Sequence, residues 1–532
     1  EKTILRETSC SFVDEFSAEA AMVTFPESFN MAEYFLDHNL EAGRGGKVCL
    51  RFGDERWTYD EMVKQSNRAG NGLYELGARL EDRVLFALPD CPQFVALWFG
   101  AAKIGAVIAM VNPLLPAEEF AYYLDYTRAE ILVVHASRVE SLEPVIDEAR
   151  YLNNVLVVGG RSRNHPNYDS LCANMSDQML PPETYCDDPA IWLFTSGSTG
   201  KPKAAVHLQH DLPYNAECYA KQVLQMREDD VTIAVPKLFF GYATGTNLLF
   251  PFAVGAETVL FDERSTPEKL FEMIERHRPT VLTNVPTMIN AMLNAPGAAE
   301  RDLSSLRVCI SAGEALPPEL YRRWKETFGV EILDGVGSAE MFHIYISNRF
   351  GDVKEGSLGK LVPGYEAEII GPDGQAMPDG QMGTLRVKGD SAALCYWQAH
   401  EKSKETFAGD WCTTSDQFMR DAEGYFWYGG RTDEMLKVSG VFVSPTEVEN
   451  CLLEHEAVLE CAVVGFQDED GLTRTKAFLV LNEGFAQSDE LARRIQEFVK
   501  TRLAMHKYPR RVVFVESLPK NDRGKIDRKS LK

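Results

Sequence analysis

Apolar runs alternate with amphipathic stretches over the first third of the chain. Three runs that are apolar throughout predict buried strands, at residues 84–88, 106–111 and 131–134. Helical patterns lie between them, one beginning near Pro92 and one over residues 116–130. A further helix is predicted upstream, where Thr58 and Glu61 have the spacing of a capping box. Because strands and helices alternate over such short distances, the pattern favours right-handed crossovers and a parallel, doubly wound sheet.

The same alternation returns after Pro189 and predicts a second α/β layer. Its strands are expected at residues 191–195, 232–235, 257–261, 280–283, 307–311 and 331–333. From about residue 365 to residue 430, Asp-Gly and Glu-Gly pairs separate short alternating runs, which indicates antiparallel structure in a small β-barrel or sheet. A compact α+β unit follows. Its first helix is expected to begin with Ser444 as N-cap, Pro445 at the first position and Glu447 as a capping glutamate.

Composition limits the classes of function. The formal net charge is −24, which argues against a general nucleic-acid binder, because a phosphate-backbone footprint needs clustered positive charge. The eleven cysteines are dispersed, as expected of reduced thiols in a cytoplasmic protein. No signal peptide is predicted. The most apolar stretch, residues 95–111, is divided by Lys103 and is shorter than the roughly 20 residues of a membrane span. We therefore expect a cytoplasmic chain of several domains without a membrane span.

The sharpest local motif is TSGSTGKPK at residues 195–203, directly after a predicted strand. Its two glycines remove side-chain bulk, so that backbone N–H groups can converge on phosphate oxygens. Its hydroxyls and lysines add donors and positive charge. The spacing differs from the nucleotide-binding pattern GxxxxGK[ST], because only two residues separate Gly197 from Gly200. Composition alone leaves a plain polar loop as the alternative.

Further motifs follow this loop in order. They are VGSAE at residues 336–340, Asp416 within WCTTSD, GRTDEMLKVSG at residues 430–440, and NDRGKI at residues 521–526. The ordered set resembles the superfamily of acyl-CoA synthetases, peptide-synthetase adenylation domains and luciferases, over essentially the full chain. The resemblance implies two flavodoxin-like α/β layers plus a small β-barrel in residues 1–432, with the β-rich unit at about 365–430. It also implies a hinge at Asp433 and a small, mobile α+β domain in residues 434–532.

The resemblance also implies a reaction. A carboxylate attacks the α-phosphorus of ATP and expels pyrophosphate, which is catalysed mainly by positioning and charge neutralisation. Glu340 would hold Mg²⁺, and Asp416 would bind the ribose hydroxyls with help from Arg431. Gly313 and Glu314 would lie beside the adenine. The full set of expected nucleotide-binding residues is Thr195, Ser196, Gly197, Ser198, Thr199, Gly200, Lys201, Lys203, Gly313, Glu314, Asp334, Gly335, Asp416 and Arg431.

By the same resemblance, Lys525 would bridge the incoming carboxylate and the α-phosphate, a role that suits the compact ammonium of lysine. Taken alone, Lys525 belongs to a basic tail of the kind that is usually solvated. The C-terminal domain would turn after adenylation, withdrawing Lys525 and bringing Lys437 to the site. The segment that would then line the coenzyme A tunnel consists of Val438, Ser439 and Gly440.

The sequence departs from the superfamily pattern at Ala339, where threonine is usual. The threonine hydroxyl is thought to contact the α-phosphate. Its absence removes one hydrogen bond, a loss of about 1 kcal/mol. We therefore expect slower adenylation and not an inactive site.

Two segments, residues 236–245 and 341–344, resemble benzoate-CoA ligases and related aryl-CoA ligases. The match implies an acid pocket lined by Phe240, Gly241, Tyr242, Ala312, Gly337, His343 and Ile344. Core packing is the alternative for the aromatic side chains, since an aromatic stripe is often only packing. Gly241 stands where alanine is expected in benzoate enzymes and would leave room for a ring substituent.

The function most favoured is therefore ATP-dependent ligation of benzoate or a substituted benzoate to coenzyme A through an acyl-AMP. The expected partners are the aromatic acid, ATP, Mg²⁺ and coenzyme A, and a homodimer is left open. One alternative is an aryl acid adenylation enzyme that loads a carrier protein, and another is a luciferase-like oxidase. A non-catalytic nucleotide-binding protein would be expected to lose Glu340, Asp416 or Lys525, and all three are present.

Overall fold

The computed structural model describes residues 23–196, 201–432, 434–438, 441–468, 472–520 and 526–531. Its first fifteen strands, in chain order, are β1 Val48–Phe52, β2 Glu55–Thr58, β3 Arg83–Ala87, β4 Val107–Met110, β5 Ile131–His135, β6 Asn154–Val158, β7 Pro189–Ser196, β8 Pro202–Leu208, β9 Val231–Ala234, β10 Glu257–Leu260, β11 Val281–Asn284, β12 Val308–Ser311, β13 Ile332–Gly337, β14 Ile344–Ser347 and β15 Lys360–Leu361. The remaining strands are β16 Glu366–Ile370, β17 Met382–Lys388, β18 Cys395–Tyr396, β19 Phe407–Ala408, β20 Trp411–Arg420, β21 Phe426–Arg431, β22 Leu436–Val438, β23 Val441–Val443, β24 Val458–Gln467, β25 Thr473–Leu481 and β26 Arg511–Phe514.

The α-helices are α1 His38–Glu41, α2 Tyr59–Glu75, α3 Pro92–Lys103, α4 Ala117–Thr127, α5 Ala136–Asp147, α6 Tyr168–Cys172, α7 Asp211–Asn215, α8 Gly241–Thr244, α9 Phe250–Ala253, α10 Pro267–His277, α11 Pro286–Leu293, α12 Pro318–Phe328, α13 His400–Thr406, α14 Pro445–Leu453 and α15 Asp489–Lys500. Short π-helical segments are Glu33–Asp37, Ala216–Lys221 and Gly245–Leu249, and 3₁₀ turns are Ala298–Glu300, Ala339–Met341 and Arg528–Leu531. Within the described parts of the chain, no helix is both long enough and apolar enough to cross a bilayer.

The first sheet has the strand order β18-β8-β7-β4-β3-β5-β6. Strands β6, β5, β3, β4 and β7 are parallel, which confirms the predicted parallel sheet. The strand predicted at residues 191–195 is an exception to the predicted layers, because β7 pairs with β4 in this first sheet and not in the second. The predicted capping box forms as well, since the Thr58 hydroxyl accepts from the Glu61 N–H and the Glu61 carboxylate accepts from the Thr58 N–H. The all-parallel prediction is wrong at one edge. Strand β8 returns antiparallel to β7, because the turn between them is too short for a crossover.

The second sheet has the strand order β15-β14-β13-β12-β11-β9-β10-β1-β2. Its centre is parallel, and the predicted strand at residues 331–333 continues to Gly337. Strands β1 and β2 come from the start of the chain and join this sheet beside β10, a long-range pairing that the sequence pattern did not indicate. Helix α3, which is buried along most of its length, belongs to the core that connects the two sheets.

The turn-rich region forms an antiparallel sheet of five strands, with the path β16-β17-β20-β19 and with β21 paired to β20. In the described residues this sheet is open, like half a barrel. The C-terminal unit contains the sheet β24-β25-β26 packed with α14 and α15. Ser444 caps α14 as predicted, but Glu447 is not a capping glutamate, because its carboxylate binds the Lys507 ammonium at 2.6 Å. The hinge and the domain boundary at Asp433 stay predictions, since residue 433 lies outside the described residues.

Candidate functional site

Parts of two motifs, and the predicted residues after Ser311, lie at the carboxyl ends of β7, β13 and β12, the edge where ligands bind in open α/β sheets. Thr195 and Ser196 end β7 and pair with Lys203 and Pro202 of β8, so the two ends of the phosphate motif lie on adjacent antiparallel strands. Predicted residues Gly197, Ser198, Thr199 and Gly200 lie outside the described residues. The two lysines of the motif are described: Lys201 directly precedes β8, and Lys203 lies on it.

Both lysines contact aromatic rings. The Lys201 ammonium lies 5.4 Å from the centroid of the Tyr122 ring, and the Lys203 ammonium lies 3.5 Å from that of the Tyr396 ring. Burial lowers the pKa of Lys203, and the nearby Glu340 carboxylate acts in the opposite direction. Lys203 is therefore a half-buried cation within electrostatic range of Glu340.

A strained turn positions Glu340. Phe342, a non-glycine residue, has φ +64° and ψ −58°, and the His343 N–H donates to the Met341 carbonyl at 2.8 Å. Together these define a γ-turn of the rare positive-φ form, which clusters at functional sites. The Glu340 carboxylate accepts a hydrogen bond from the Tyr396 hydroxyl at 2.6 Å. The turn thus fixes the backbone between Glu340 and His343.

A buried pair holds the peptide just before Glu340. His207 Nε2 lies 2.6 Å from the Ala339 carbonyl oxygen and must donate to it, because a carbonyl only accepts. The other ring nitrogen, Nδ1, lies 2.7 Å from Oδ2 of Asp211. Both side chains are fully buried. Neither residue was predicted, although a histidine and an aspartate four positions apart, just after the phosphate motif, were a usable signal.

The edge of the site predicted to bind the nucleotide is built from adjacent strands. Cα register places Asn284, Ser311 and Asp334 side by side across β11, β12 and β13. Asp334 Oδ2 accepts from the Leu316 N–H at 3.0 Å, and burial raises the pKa of Asp334 to about 7. Gly335 and Gly337 also lie on β13. A Cβ at Gly337 would lie 2.4 Å from the His343 carbonyl oxygen, so no larger residue fits there.

The predicted ribose pair lies on the half-barrel sheet. Asp416 of β20 and Arg431 of β21 are directly opposite each other in the antiparallel register. Burial raises the pKa of Tyr428 and of Tyr345, and the Asp416 charge adds to both shifts. Asp416 therefore carries its charge close to two buried phenols. Glu314, predicted beside the adenine, accepts a hydrogen bond from the Thr287 hydroxyl at 3.2 Å, and Gly313 before it has φ +92°.

Among the predicted acid-pocket residues, Tyr242 and Gly337 contact His343. Its ring packs against the rings of Tyr242, Tyr219 and Phe250, with centroids 5.4, 5.7 and 4.8 Å away. Burial lowers the pKa of His343 to about 4, so the imidazole is neutral at pH 7. Its Nε2 donates to the Tyr242 carbonyl at 3.0 Å. Ala312 and Ile344 are also buried, whereas Phe240 and Gly241 are partly exposed at the start of α8.

Two family patterns cover most of the chain. Residues 36–397 match the AMP-binding enzyme family, and residues 447–525 match the AMP-binding enzyme C-terminal domain. The chain belongs to the AMP-binding enzyme family. Its sequence is 43% identical to a benzoate–CoA ligase of Thauera aromatica over 522 residues, 98% of this chain and 99% of the relative.

Solved structures of AMP-binding enzymes superpose on nearly the whole chain. The anthranilate CoA ligase AuaEII in complex with anthranoyl-AMP has a TM-score of 0.91 and 38% identity, covering 95% of this chain and 97% of its own. A benzoate CoA ligase from Burkholderia xenovorans LB400 has a TM-score of 0.88 and 40% identity, covering 94% and 99%. The fold predicted from the motifs is thereby confirmed.

This AMP-binding enzyme has a further contact that the sequence analysis missed. Asp90, buried at the end of β3, accepts at Oδ1 from the Leu238 N–H at 2.8 Å. The neighbouring Lys237 ammonium donates to the Phe261 carbonyl at 2.7 Å. Burial raises the pKa of Asp90 to about 6, and Lys237 opposes that shift. Residues from both sheets thus hold the segment that leads into the acid pocket.

The C-terminal residues are only partly described. Lys437 is exposed on β22, and Val438 beside it is buried. Ser439, Gly440 and Lys525 lie outside the described residues. The C-terminal unit contacts α11, where the Asn290 amide donates to the Leu459 carbonyl at 3.2 Å. The roles predicted for these residues stay predictions.

Restoring threonine at position 339 tests the departure from the superfamily pattern. We expect Ala339→Thr to raise acid-dependent ATP–pyrophosphate exchange about fivefold, which corresponds to one hydrogen bond of about 1 kcal/mol. Ala339→Ser, with the same hydroxyl and a smaller side chain, is the matched comparison. An unchanged rate in both variants would mean that Ser338 already supplies the contact. In the described residues, the buried Ser338 hydroxyl has no hydrogen-bond partner.

Proposed function

We propose that this chain is an AMP-forming aryl-CoA ligase that converts benzoate or a substituted benzoate, ATP and coenzyme A into aryl-CoA, AMP and pyrophosphate. The observation that carries the proposal is the turn at residues 339–344. One strained turn joins Glu340, which faces the Lys203 side of the site, to His343, which is buried among aromatic rings. A nucleotide phosphate and an aromatic carboxylate would therefore meet at this turn. Similarity to benzoate–CoA ligase over nearly the full chain supports the same substrate class.

In the first half-reaction, a carboxylate oxygen of the acid forms a bond to the α-phosphorus of ATP, and the bond to pyrophosphate breaks. Lys201 and Lys203 would neutralise phosphate charge, and the motif at residues 195–203 would orient the phosphates. Neutral His343 and the Tyr242 ring form an uncharged wall on which an aryl ring can stack. The negatively charged carboxylate of the acid would therefore lie toward the phosphates and not against this wall.

Glu340 fits a hard divalent cation. Its carboxylate uses Oε1 to accept from Tyr396 and retains further lone pairs, and oxygen donors of this kind are the ligands that Mg²⁺ prefers. We propose that Glu340 holds the ion. Mg²⁺, when bound with ATP, neutralises the charge that develops on the phosphates.

In the second half-reaction, the thiol of coenzyme A attacks the acyl carbonyl, a thioester bond forms, and AMP leaves. By similarity within the family, the segment containing Lys437 and Val438 supplies the thiol channel. Lys437 is exposed and lies on the two-stranded β22-β23 hairpin of the C-terminal unit. The hairpin is thus accessible for the alternative domain orientation that this step would use.

The proposal is tested by ATP–pyrophosphate exchange over a panel of aromatic and aliphatic acids, followed by mass detection of the coenzyme A thioester. We expect exchange that depends on aromatic acids and an aryl-CoA product formed with AMP. Aroyl-AMP without thioester would favour the carrier-protein alternative. Absence of acid-dependent ATP consumption across the panel would contradict the proposal.

Filling Gly241 tests the preference for ring substituents. A Cβ at this position would lie 3.0 Å from Cδ1 of the buried Leu193 side chain, so the pocket wall would have to shift. We expect Gly241→Ala to lower kcat/KM for methyl- and aminobenzoates about tenfold relative to unsubstituted benzoate. Gly46→Ala is the control, because a Cβ there would contact nothing within 4 Å. If kcat/KM changed equally for all acids, the ring substituent would not lie beside residue 241.

A further inference from the structure

The side chain between the phosphate lysine and the acidic turn is Tyr396. It lies on β18, where it pairs with Ala205 of β8, the strand that carries Lys203. Its ring is 4% exposed and packs against the Phe407 ring at a centroid distance of 5.2 Å. The Tyr396 N–H donates to the Ser403 hydroxyl at 3.0 Å. Backbone pairing, packing and this bond fix where the phenol points.

Tyr396 contacts two groups of opposite charge. Its hydroxyl donates to Glu340 Oε1 at 2.6 Å, and its ring centroid lies 3.5 Å from the Lys203 ammonium. The Glu340 backbone is fixed separately, because its carbonyl accepts from the Ala393 N–H at 2.8 Å. Among the described residues, Lys203 and Glu340 form no direct ion pair. The phenol occupies the space between them.

A direct ion pair between Lys203 and Glu340 would weaken the binding of phosphate and of a cation at this site. Opposite charges in a half-buried setting attract strongly, and a Lys203–Glu340 pair would occupy the carboxylate oxygen and the ammonium donors together. The ring of Tyr396 attracts the ammonium through its face, which uses none of the three N–H donors. The hydroxyl takes one lone pair of Glu340 and leaves the second oxygen available.

We propose that Tyr396 is a positioning residue that keeps Lys203 and Glu340 apart, so that the ammonium stays available to phosphate and the carboxylate to a divalent cation. This role rests on the proposed adenylation function. The hydroxyl orients Glu340, and the ring orients Lys203. The two parts of one side chain therefore have separable effects, on cation dependence and on nucleotide affinity.

Two variants test the hydroxyl and the ring of Tyr396 separately. Tyr396→Phe keeps the ring and removes the hydroxyl, so we expect the apparent Mg²⁺ requirement of ATP binding to rise about tenfold, as for other partners of metal ligands. ATP affinity without Mg²⁺ should stay within about twofold. Tyr396→Leu removes the ring as well, so Lys203 can pair with Glu340, and ATP affinity without Mg²⁺ should fall at least about fivefold.

Isothermal titration with ATP, with and without Mg²⁺, measures these affinities without requiring turnover. Adding Glu340→Gln to Tyr396→Leu should restore ATP affinity in the absence of Mg²⁺, because Lys203 then has no carboxylate to pair with. Tyr321→Phe is the matched control, since its hydroxyl also faces a carboxylate, Glu331 at 3.5 Å, outside the site. Unfolding midpoints would show whether Tyr396→Leu folds. If it does not, the Mg²⁺ requirement of ATP binding in Tyr396→Phe decides the test.

An unchanged Mg²⁺ requirement in Tyr396→Phe would overturn the proposal. So would a loss of ATP affinity in Tyr396→Leu that the Glu340→Gln change does not reverse, since the loss would then be structural. Both readouts are independent of the acid and of coenzyme A. A chain that binds MgATP as expected but forms no aryl-CoA would contradict the proposed function and leave the role of Tyr396 standing.

Discussion

Replacing Lys525 with alanine is expected to slow aroyl-AMP formation by about three orders of magnitude, while thioester formation from supplied aroyl-AMP stays within about threefold. The reason is charge. In the first half-reaction a carboxylate approaches an anionic phosphate, and a lysine between them removes the repulsion that both would otherwise feel. In the second half-reaction the thiol attacks the neutral acyl carbonyl of the aroyl-AMP and AMP leaves, and the same ammonium has no equivalent task.

The measurement separates the two half-reactions. ATP–pyrophosphate exchange with benzoate reports the first, and aryl-CoA formed from synthetic benzoyl-AMP reports the second. Lys520→Ala is the control from the same basic tail, because the Lys520 ammonium is paired with Glu460 at 3.0 Å. Equal losses in both half-reactions would contradict a division of labour between the domain orientations.

Much of the fold could be predicted from local patterns. The capping box at Thr58 and Glu61 forms, and the apolar runs at residues 84–88 and 131–134 become parallel strands of one sheet. What the sequence did not reveal is pairing between distant segments. Strands β1 and β2 join the second sheet, and β8 turns back antiparallel. Neither choice is encoded in the period of the strand itself, because period 2 is the same for both directions and both sheets.

The site could be predicted only where its residues stand together in a motif. Glu340 and Lys203 could be predicted as site residues because each belongs to a motif whose neighbouring residues identify it. The supporting groups are isolated in sequence: Tyr396 is 56 positions from Glu340, and His207 is 132 positions from Ala339. A single tyrosine gives no local signal of this kind, and the spacing of His207 and Asp211 marks the pair but not its distant partner Ala339. Such partners are visible only after the sheets have brought the segments together.

Removing the charge of Glu340 is expected to have the second large effect. Glu340→Gln should lower acid-dependent ATP–pyrophosphate exchange about a hundredfold or more, since an amide is a much weaker ligand for a hard cation than a carboxylate. The fold should be retained, because the glutamine Oε1 can still accept from the Tyr396 hydroxyl at the same place. The loss is therefore electrostatic and not structural.

ATP–pyrophosphate exchange measured over a range of Mg²⁺ concentrations distinguishes an electrostatic loss from a structural one. In the variant, saturating Mg²⁺ should recover only part of the rate, whereas a purely structural change would leave the Mg²⁺ midpoint unaltered. Glu405→Gln is the matched control, since Glu405 lies on α13 in the same region and its carboxylate pairs with Lys402 at 3.1 Å. If Glu340→Gln kept the wild-type Mg²⁺ midpoint and rate, another carboxylate would have to hold the ion. In the described residues Asp416 is then the first to test, because its charge reaches the same buried Tyr345 phenol as that of Glu340.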